Sequence, residues 1–244
     1  MFNVVQTEGL NSIKNINYII DNINGVIDTL SSPINIVIES PGIGVGKTTL
    51  CQFLAKNLNS AILVEELVDK RVLKALYGEL AIDSKASDIL LKSEIYFFFS
   101  RVVQAVLCDF DDNKVRIFDR SVISSLAFSY NLYKKGNISE KGFNYLEDVF
   151  SKLDELNFFT EDNTIVYNLN LSMVEQLLRI KERGRLSEKS ITAGYLESVE
   201  KAYNIYVWNY FEKRGISIEK FNWSNFNRYG LLEDVLNKMK EMDS

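Results

Sequence analysis

The residues between Ile34 and Leu50, INIVIESPGIGVGKTTL, have the types and the spacing that bind phosphate. A β-branched apolar strand, Ile34 to Ile38, runs into a glycine-rich turn, which leads through Gly46-Lys47-Thr48-Thr49 into an amphipathic helix. This strand–loop–helix context is the one in which a phosphate-binding P-loop occurs. Backbone N–H groups and the helix N-terminus would hold the phosphate oxygens. The expected phosphate-binding residues are Gly42, Ile43, Gly44, Val45, Gly46, Lys47, Thr48 and Thr49.

Two side chains of this loop have specific expected roles. Lys47 would reach the β- and γ-phosphates, and the Thr48 hydroxyl would ligate Mg²⁺. The sequence therefore predicts that the chain binds ATP, or another nucleoside triphosphate, together with Mg²⁺. The consensus motif has glycine five residues before Gly46, where this chain has Pro41. Proline has no N–H, so we expect either that Gly42 makes the tight turn or that the loop has one extra residue.

Composition restricts the class of protein. The chain has 244 residues, 46% of them hydrophobic and 25% charged, which suits one large globular α/β domain. Its net charge of −5 argues against a general nucleic-acid surface. The chain has no histidine, so any general base must be a carboxylate and a zinc site has few ligands to use.

The cysteines and the apolar segments indicate a compartment. Cys51 and Cys108 have no CxxC spacing, so we expect neither a disulfide nor a thiolate metal site, and a reducing, cytoplasmic environment. No apolar run reaches transmembrane length, and Met1–Leu30 lacks the basic start and apolar core of a signal peptide. We therefore expect no membrane partner.

Apolar patterns predict five strands separated by helices, and hence a parallel sheet covered on both faces. The predicted strands are Ile34–Ile38, Ala61–Glu65, Val115–Asp119, Thr164–Leu169 and Ile216–Phe221. The predicted helices are Thr48–Leu58, Val68–Tyr77, Ala86–Cys108, Ser121–Lys135, Ser139–Leu156, Ser172–Arg183, Thr192–Lys213 and Leu231–Met242. No repeat or low-complexity linker divides the chain, so a second large domain is not expected.

The first 33 residues precede this pattern and carry a helical apolar stripe. Its members are Ile13, Ile16, Ile20, Ile23, Ile27 and Leu30. Alternating spacings of three and four residues predict an amphipathic helix. One interpretation is a helix packed on the domain, and the other is a helix that pairs with a partner or a second copy.

Acidic and basic residues follow two of the predicted strands, at the edge where such sheets bind ligands. A carboxylate of Glu65-Glu66 could take the proton from an attacking substrate hydroxyl. Asp119 could hold Mg²⁺ through water, and Arg120 could neutralise phosphate charge. The alternative interpretation of the residues after the third predicted strand is that Asp119 or Ser121 caps the following helix.

Charged residues also occur on two predicted helices. Arg179, Arg183, Arg185 and Glu188 surround Gly184, and arginines on such a hinged turn suit a lid that closes over ATP phosphates. The alternative is a solvated, charged loop. Glu94 and Arg101 lie seven residues apart on one face of the long helix and are candidate base-reading groups.

Taken together, these segments resemble the deoxyribonucleoside kinase family, which includes deoxycytidine, deoxyguanosine, deoxyadenosine and mitochondrial-type thymidine kinases. The resemblance runs from about Ile34 to Tyr210. The family loop E-G-x-I-G-x-G-K-[ST] corresponds here to Glu39-Ser40-Pro41-Gly42-Ile43-Gly44-Val45-Gly46-Lys47-Thr48. Its Glu-Pro-Val, [ED]-R-S and Asn-Leu-Tyr segments correspond to Glu66-Leu67-Val68, Asp119-Arg120-Ser121 and Asn131-Leu132-Tyr133. Its lid pattern R-x-x-x-R-x-R-x-x-E is matched by Arg179, Arg183, Arg185 and Glu188.

The resemblance implies a fold and an activity. The implied fold is an α/β P-loop kinase fold, with a five-stranded parallel sheet flanked by helices, a helical lid and an extra N-terminal helix. Residues 1–33 would form the N-terminal helical extension, and residues 34–244 the nucleoside kinase domain. The implied activity is ATP-dependent phosphorylation of the 5′-hydroxyl of a deoxyribonucleoside in nucleotide salvage, carried out by a homodimer.

The resemblance also implies residue roles. Glu66 would be the general base, and the other catalytic residues would be Lys47, Arg120, Arg183 and Arg185. Substrate would contact Glu66, Tyr77, Glu94, Arg101, Arg120, Ser125 and Glu188. Within that set, Tyr77 and Glu188 resemble the pair that holds the sugar 3′-hydroxyl, and Arg120 resembles the arginine near the 5′-oxygen.

Two positions bear on the nucleoside base. Glu94 stands where the family reads the base edge with glutamine, and Ser125 stands where deoxycytidine kinases keep aspartate. A carboxylate only accepts hydrogen bonds whereas an amide also donates them, so base preference is not transferred from relatives. Together with Arg101, this combination favours a purine or cytosine substrate over thymidine.

Two other functions fit the sequence. The segment DRSVISSLAF also resembles nucleoside monophosphate kinases of the thymidylate type, whose acceptor is already a phosphate. The second alternative is a nucleotide-binding regulator that has lost catalysis, which Pro41 and Glu94 favour.

Overall fold

A five-stranded parallel sheet forms the centre of the computed structural model, which describes residues 10–65, 86–184, 188, 191–224 and 227–243. The strands are β1 (Ile34–Glu39), β2 (Ala61–Val64), β3 (Val115–Asp119), β4 (Thr164–Asn170) and β5 (Ile218–Asn222). Their order across the sheet is β2-β3-β1-β4-β5, and every neighbouring pair is parallel. The predicted fold class is confirmed.

Helices cover both faces of this sheet. They are α1 (Leu10–Thr29), α2 (Lys47–Asn57), α3 (Ala86–Cys108), α4 (Ile123–Lys134), α5 (Glu140–Leu153), α6 (Met173–Arg183), α7 (Ala193–Tyr203), α8 (Asn209–Lys213) and α9 (Arg228–Met242). Short 3₁₀ turns lie at Asp154–Leu156 and Glu161–Asn163. The helix predicted at Val68–Tyr77 lies outside the described residues. Among the described helices, none combines the length and the apolar character needed to cross a membrane.

The helix predicted as continuous over Thr192–Lys213 is interrupted. A π-helical turn, Asn204–Trp208, separates α7 from α8. The turn begins directly after Tyr203, and π turns within helices occur frequently at functional sites. Apolar periodicity does not distinguish a π turn from a regular helix, so the sequence pattern could not reveal it.

All six residues of β1 are buried because helices lie on both sides of it. Ile34, Ile36 and Ile38 belong to the core that α1, α2 and α9 share. Val37 belongs to the core on the opposite face, with residues of α3, α4 and α7. Side chains alternate along a strand, so Glu39 points to the same face as Val37. A carboxylate is therefore buried beneath α4 and α7.

The apolar stripe of α1 packs on the core beneath one face of the sheet. Its isoleucines at positions 16, 19, 20, 23 and 27 are buried in one core cluster with residues of α9, such as Leu232 and Met239. Polar contacts also join α1 to the end of α2 and to the residue before β3: Asn24 Nδ2 donates to the Asn57 carbonyl at 3.3 Å, and Lys114 Nζ donates to the Asp28 carbonyl at 2.9 Å. The first of the two sequence interpretations, a helix packed on the domain, describes α1.

This packing predicts that α1 contributes to global stability. Ile23→Ala removes a side chain that is 0% exposed, so we expect the free energy of unfolding to fall by about 2–5 kcal/mol in urea titrations. The matched control is Tyr18→Ala, because Tyr18 is 69% exposed on the same helix, and its expected change is within about 0.5 kcal/mol. Equal effects of the two substitutions would contradict a structural role for the stripe.

Candidate active site

The loop after β1 turns at Gly44 and Gly46. Their φ angles are +75° and +105°, in the left-handed region that favours glycine, and Gly46 is the N-cap of α2. Gly42 does not have a positive φ, so it does not take over the left-handed turn. It serves close packing instead, because a Cβ there would lie 2.4 Å from Val45 Cγ2 and 2.7 Å from Gln176 Oε1. The loop therefore accommodates Pro41 while its left-handed residues are Gly44 and Gly46.

Lys47 is buried at the start of α2, inside this loop. Its Nζ donates a hydrogen bond to the Gly42 carbonyl at 3.0 Å. Burial and then the nearby charge of Arg120 lower the pKa of Lys47 to about 7, while Asp119 and Glu39 act in the opposite direction. An anion bound beside Lys47 would favour its charged form, so the loop is suited to a polyphosphate.

Thr48 and Asp119 come together although they are far apart in sequence. Ile38 of β1 pairs in register with Asp119 of β3, so the end of β3 lies beside the phosphate loop. The Thr48 Oγ1 hydroxyl donates to Asp119 Oδ2 at 2.5 Å. A hydroxyl and a carboxylate are oxygen ligands of the kind that Mg²⁺ takes, so this pair fits the predicted metal position.

Glu39 is the centre of a buried polar network. Its Oε1 accepts hydrogen bonds from Ser121 N at 2.7 Å, Ser121 Oγ at 2.5 Å and Ser124 Oγ at 2.6 Å. Its Oε2 accepts from the Tyr203 hydroxyl at 3.2 Å. Burial, and to a lesser extent the Glu39 charge, raise the pKa of Tyr203, so its hydroxyl keeps its proton. This carboxylate ties β1 to α4 and α7.

The network corrects one interpretation of the Asp-Arg-Ser segment. Neither Asp119 nor Ser121 caps α4, because the N-cap residue is Val122 and no side chain bonds there. The Ser121 hydroxyl instead donates to Glu39. The roles of Glu39 and Tyr203 were not predicted from the sequence. For Glu39 a signal existed, since a charged residue ending a fully buried strand needs partners.

Arg120 is held against the loop by carbonyl groups. Its NH1 donates to the Ser40 carbonyl at 2.8 Å and to the Tyr203 hydroxyl, and its NH2 donates to the Gly42 carbonyl at 3.3 Å. Its Cζ lies 4.8 Å from the centroid of the Phe128 ring. The backbone of Arg120 has a φ of +78°, which is rare for residues other than glycine and is found mainly at functional sites.

The predicted lid corresponds to α6, which lies over the loop. Arg179 NH1 donates to the Val45 carbonyl at 3.1 Å. A Cβ at Gly44 would lie 3.8 Å from Arg183 NH2, so this guanidinium also reaches the phosphate loop. Arg183 donates to Glu188 Oε2 from Nε at 3.0 Å and from NH2 at 2.6 Å. Gly184 ends α6 with a φ of +65°.

Next to this site, α3 approaches the carboxyl ends of β2 and β3. A small cavity at the carboxyl ends of β2 and β3 is lined by the apolar Val64, Phe118 and Val122 and by the polar Glu65, Arg101, Gln104, Asp119 and Arg120. Arg101 NH1 donates to Ser125 Oγ at 2.5 Å, and Glu94 Oε2 accepts from Ser129 Oγ at 2.9 Å. The predicted base-reading residues thus face α4. Glu66, Tyr77 and Arg185 lie outside the described residues.

These groups meet at the carboxyl edge of the sheet, beside β1. That strand has β3 on one side and β4 on the other, and ligands bind at such a switch in strand order. Lys47, Asp119, Arg120 and Arg179 converge on the glycine-rich loop, and the small cavity lies next to them. Fold and site together define a P-loop phosphotransferase.

Comparison with known proteins identifies the family. The deoxynucleoside kinase family model matches residues 36–242. The deoxyadenosine kinase of Dictyostelium discoideum is 30% identical over 184 residues, which are 75% of this chain and 70% of that protein. The deoxyguanosine kinase of Lactobacillus acidophilus is 27% identical over 219 residues, 86% of this chain and 92% of that protein. The chain belongs to the deoxynucleoside kinase family and is an enzyme that phosphorylates deoxyribonucleosides.

Solved structures agree with this fold. Deoxyadenosine kinase from M. mycoides with bound dATP has a TM-score of 0.63 at 23% identity, and the match covers 85% of this chain and all of that one. The same enzyme with bound dCTP has a TM-score of 0.61 at 22% identity, with the same coverage.

The Glu39 network predicts a coupled loss of stability and turnover. Glu39→Gln places an amide where four donors meet, so we expect the free energy of unfolding to fall by about 1–3 kcal/mol. Displacement of Arg120 should also lower kcat about tenfold or more. Urea titration and steady-state kinetics measure the two effects. Glu200→Gln, at an exposed position of α7, is the control, and unchanged kcat in Glu39→Gln would exclude the positioning effect.

Proposed function

We propose that the chain transfers the γ-phosphate of ATP to the 5′-hydroxyl of a purine deoxyribonucleoside. The convergence of Lys47, Asp119 and Arg120 on the glycine-rich loop, next to the cavity, is the observation that carries this proposal. The names of three curated relatives, one deoxyadenosine kinase and two deoxyguanosine kinases, support a purine nucleoside as the acceptor.

In the proposed mechanism, Glu66 takes the proton of the 5′-hydroxyl as that oxygen attacks the γ-phosphate. Lys47 and the backbone N–H groups of the loop neutralise phosphate charge. Arg120, Arg183 and Arg185 would stabilise the charge that spreads over the transferring group. Arg120 donates to the Ser40 carbonyl of the loop and also lines the cavity, which supports a role between donor and acceptor.

Thr48 and Asp119 would hold Mg²⁺, Asp119 through a water molecule. Bound there, the ion would supply positive charge that stabilises the negative charge of the phosphates. Within the described residues, no group of three or more Asp, Glu, Cys or His side chains could form an all-protein metal cage. This fits Mg²⁺, which is bound through few protein ligands and keeps several waters.

The acceptor class is tested with a panel of substrates. Purified enzyme, ATP and Mg²⁺ are incubated with the four deoxyribonucleosides and, separately, with their 5′-monophosphates, and ADP release is measured. We expect turnover with nucleosides, because Arg120 and the acids after β2 suit a neutral hydroxyl acceptor. Turnover only with monophosphates would instead support the thymidylate-type alternative, and binding of ATP without any turnover would support the regulator.

Two adjacent carboxylates allow a matched test of the base. Glu66→Gln should lower kcat about 10²-fold or more while ATP binding persists, because an amide cannot accept the proton. Glu65→Gln is the control: Glu65 lines the cavity and accepts from Gln52 Nε2 at 3.5 Å. We expect its kcat to change by less than about fivefold. A larger loss of kcat in Glu65→Gln than in Glu66→Gln would instead identify Glu65 as the general base.

We propose also that the enzyme is a homodimer that associates through α3. Phe99, Val103 and Leu107 of α3 are 38%, 49% and 57% exposed at spacings of four residues, and Phe110, two residues after the end of α3, is 83% exposed. They form an apolar stripe, here called the α3 stripe. Arg101 is the one charged residue between Ile95 and Cys108, and it points inward to Ser125. An uncharged apolar helix face suits a self-complementary contact between two copies.

The α3 stripe predicts how the dimer can be broken. Leu107→Glu places two like charges in the shared face, so we expect a monomer by size-exclusion chromatography with light scattering. Tyr18→Glu, which changes an exposed aromatic residue of α1, should stay dimeric. A monomeric wild-type enzyme would refute the proposal.

The two cysteines support the predicted reducing, cytoplasmic environment. Cys51 and Cys108 are free thiols, both buried. Burial raises the pKa of each, which disfavours the reactive thiolate.

A further inference from the structure

The guanidinium of Arg120 is held from two different parts of the fold. Arg120 lies in the turn between β3 and α4, and it donates to the carbonyls of Ser40 and Gly42 in the glycine-rich loop. A further contact comes from α7, whose last residue, Tyr203, accepts a hydrogen bond from Arg120 NH1 through its hydroxyl. The Tyr203 hydroxyl therefore anchors this guanidinium to a helix that is not part of the loop.

This hydroxyl makes two hydrogen bonds of opposite sense. It donates its proton to Glu39 Oε2 at 3.2 Å, and its oxygen accepts from Arg120 NH1. Burial is the main cause that raises the pKa of Tyr203, so the hydroxyl keeps the proton that it donates. A carboxylate, a hydroxyl and a guanidinium thus form a chain of hydrogen bonds in which each bond polarises the next.

Aromatic packing fixes the ring that carries the hydroxyl. Tyr203 is 0% exposed, and its ring lies 5.9 Å from that of Phe128 and 5.4 Å from that of Trp208, measured between centroids. Phe128 also packs against Arg120, whose Cζ lies 4.8 Å from the centroid of the Phe128 ring. The hydroxyl and the guanidinium that it contacts are therefore packed against the same phenyl ring.

The π turn after α7 explains the contact between Tyr203 and Trp208. The two residues are five positions apart, a spacing that in an α-helix turns their side chains about 140° away from each other. A π turn closes its hydrogen bonds over five residues, so it brings positions i and i+5 close to one face. Asn204–Trp208 forms such a turn, and the two rings meet across it. The interruption of the helix therefore lets Trp208 pack on Tyr203.

We propose that Tyr203 is a positioning residue for phosphoryl transfer, because its hydroxyl holds the guanidinium of Arg120 between the glycine-rich loop and the cavity. Tyr203 is fully buried, so it acts through Arg120, which lines the cavity. This inference rests on the proposed function, because it requires Arg120 to stabilise the transferring phosphate.

Tyr203→Phe tests the hydroxyl while the ring is kept. With ATP and a deoxyribonucleoside, we expect kcat to fall about tenfold or more, because a displaced guanidinium stabilises the transferring group less well. The KM for ATP should change by less than about twofold, since Lys47 and the N–H groups of the loop are untouched. Steady-state kinetics measure both quantities, and an unchanged kcat overturns the inference.

Tyr167→Phe is the matched control. Tyr167 is also 0% exposed, and its hydroxyl also donates to a carboxylate, that of Asp234 at 2.8 Å, in the core on the opposite face of the sheet. Urea titration should show a loss of stability in both variants, because each loses a buried hydrogen bond. Only Tyr203→Phe should lose turnover. Equal losses of kcat in the two variants would reduce Tyr203 to a general structural role.

A double-mutant cycle with Arg120→Lys shows whether the hydroxyl acts through the guanidinium. Lysine keeps a positive charge at this position but lacks the guanidinium that Tyr203 holds. In the Arg120→Lys background we expect Tyr203→Phe to lower kcat further by less than about twofold, because the two substitutions disrupt the same interaction. Losses that multiply independently would contradict a positioning role.

Trp208→Leu keeps the inference testable if Tyr203→Phe does not fold. Trp208 is half-buried, and its substitution leaves the hydroxyl of Tyr203 in place but removes the ring that packs on it. We expect kcat to fall about threefold or more with Arg120 present, and by less than about twofold in the Arg120→Lys background. The same kcat as the wild-type enzyme would overturn the inference.

The outcomes separate this inference from the proposed function. If the wild-type enzyme turns over no deoxyribonucleoside, the proposed function fails and the inference fails with it. If the wild-type enzyme is active and Tyr203→Phe has the same kcat, only the role of Tyr203 is overturned.

Discussion

The buried carboxylate of Glu39 organises the site. A charge in an interior position is tolerated only with several hydrogen bonds, and here the donors come from Ser121, Ser124 and Tyr203. The same contacts hold the segment after β3 and the end of α7 against the phosphate loop. Tyr203 also accepts from Arg120, so the position of this guanidinium depends on the internal charge of Glu39.

The two faces of the sheet are covered by different helices and differ in polarity near the site. On one face, α1, α2 and α9 form an apolar core with the sheet, and Val45 of the glycine-rich loop packs in this core. The other face carries α3, α4 and α7, and its core borders the small cavity, which polar side chains line together with apolar ones. The glycine-rich loop follows β1, and the cavity lies at the carboxyl ends of β3, which pairs with β1, and of β2.

Contacts between neighbouring elements could be predicted from the sequence. Parallel strands end at one edge of the sheet, so the proximity of Thr48 and Asp119 followed from the strand assignments. The position of Arg179 over the glycine-rich loop followed in the same way, because α6 comes directly after β4. The Glu39 network could not be predicted, because its donors come from segments more than 80 residues away whose helix faces the sequence leaves unspecified. Likewise, the stripe of α1 revealed an apolar face but not that α9 would cover it.

The contact between α1 and α9 has a consequence for synthesis of the chain. The first described helix packs on the last, so the core beneath the phosphate loop closes only after α9 has emerged from the ribosome. Until then the isoleucines of α1 lack their final cover, and a nascent chain exposes them to chaperones or to premature association. Formation of the core beneath the glycine-rich loop therefore waits until α9 has been synthesised.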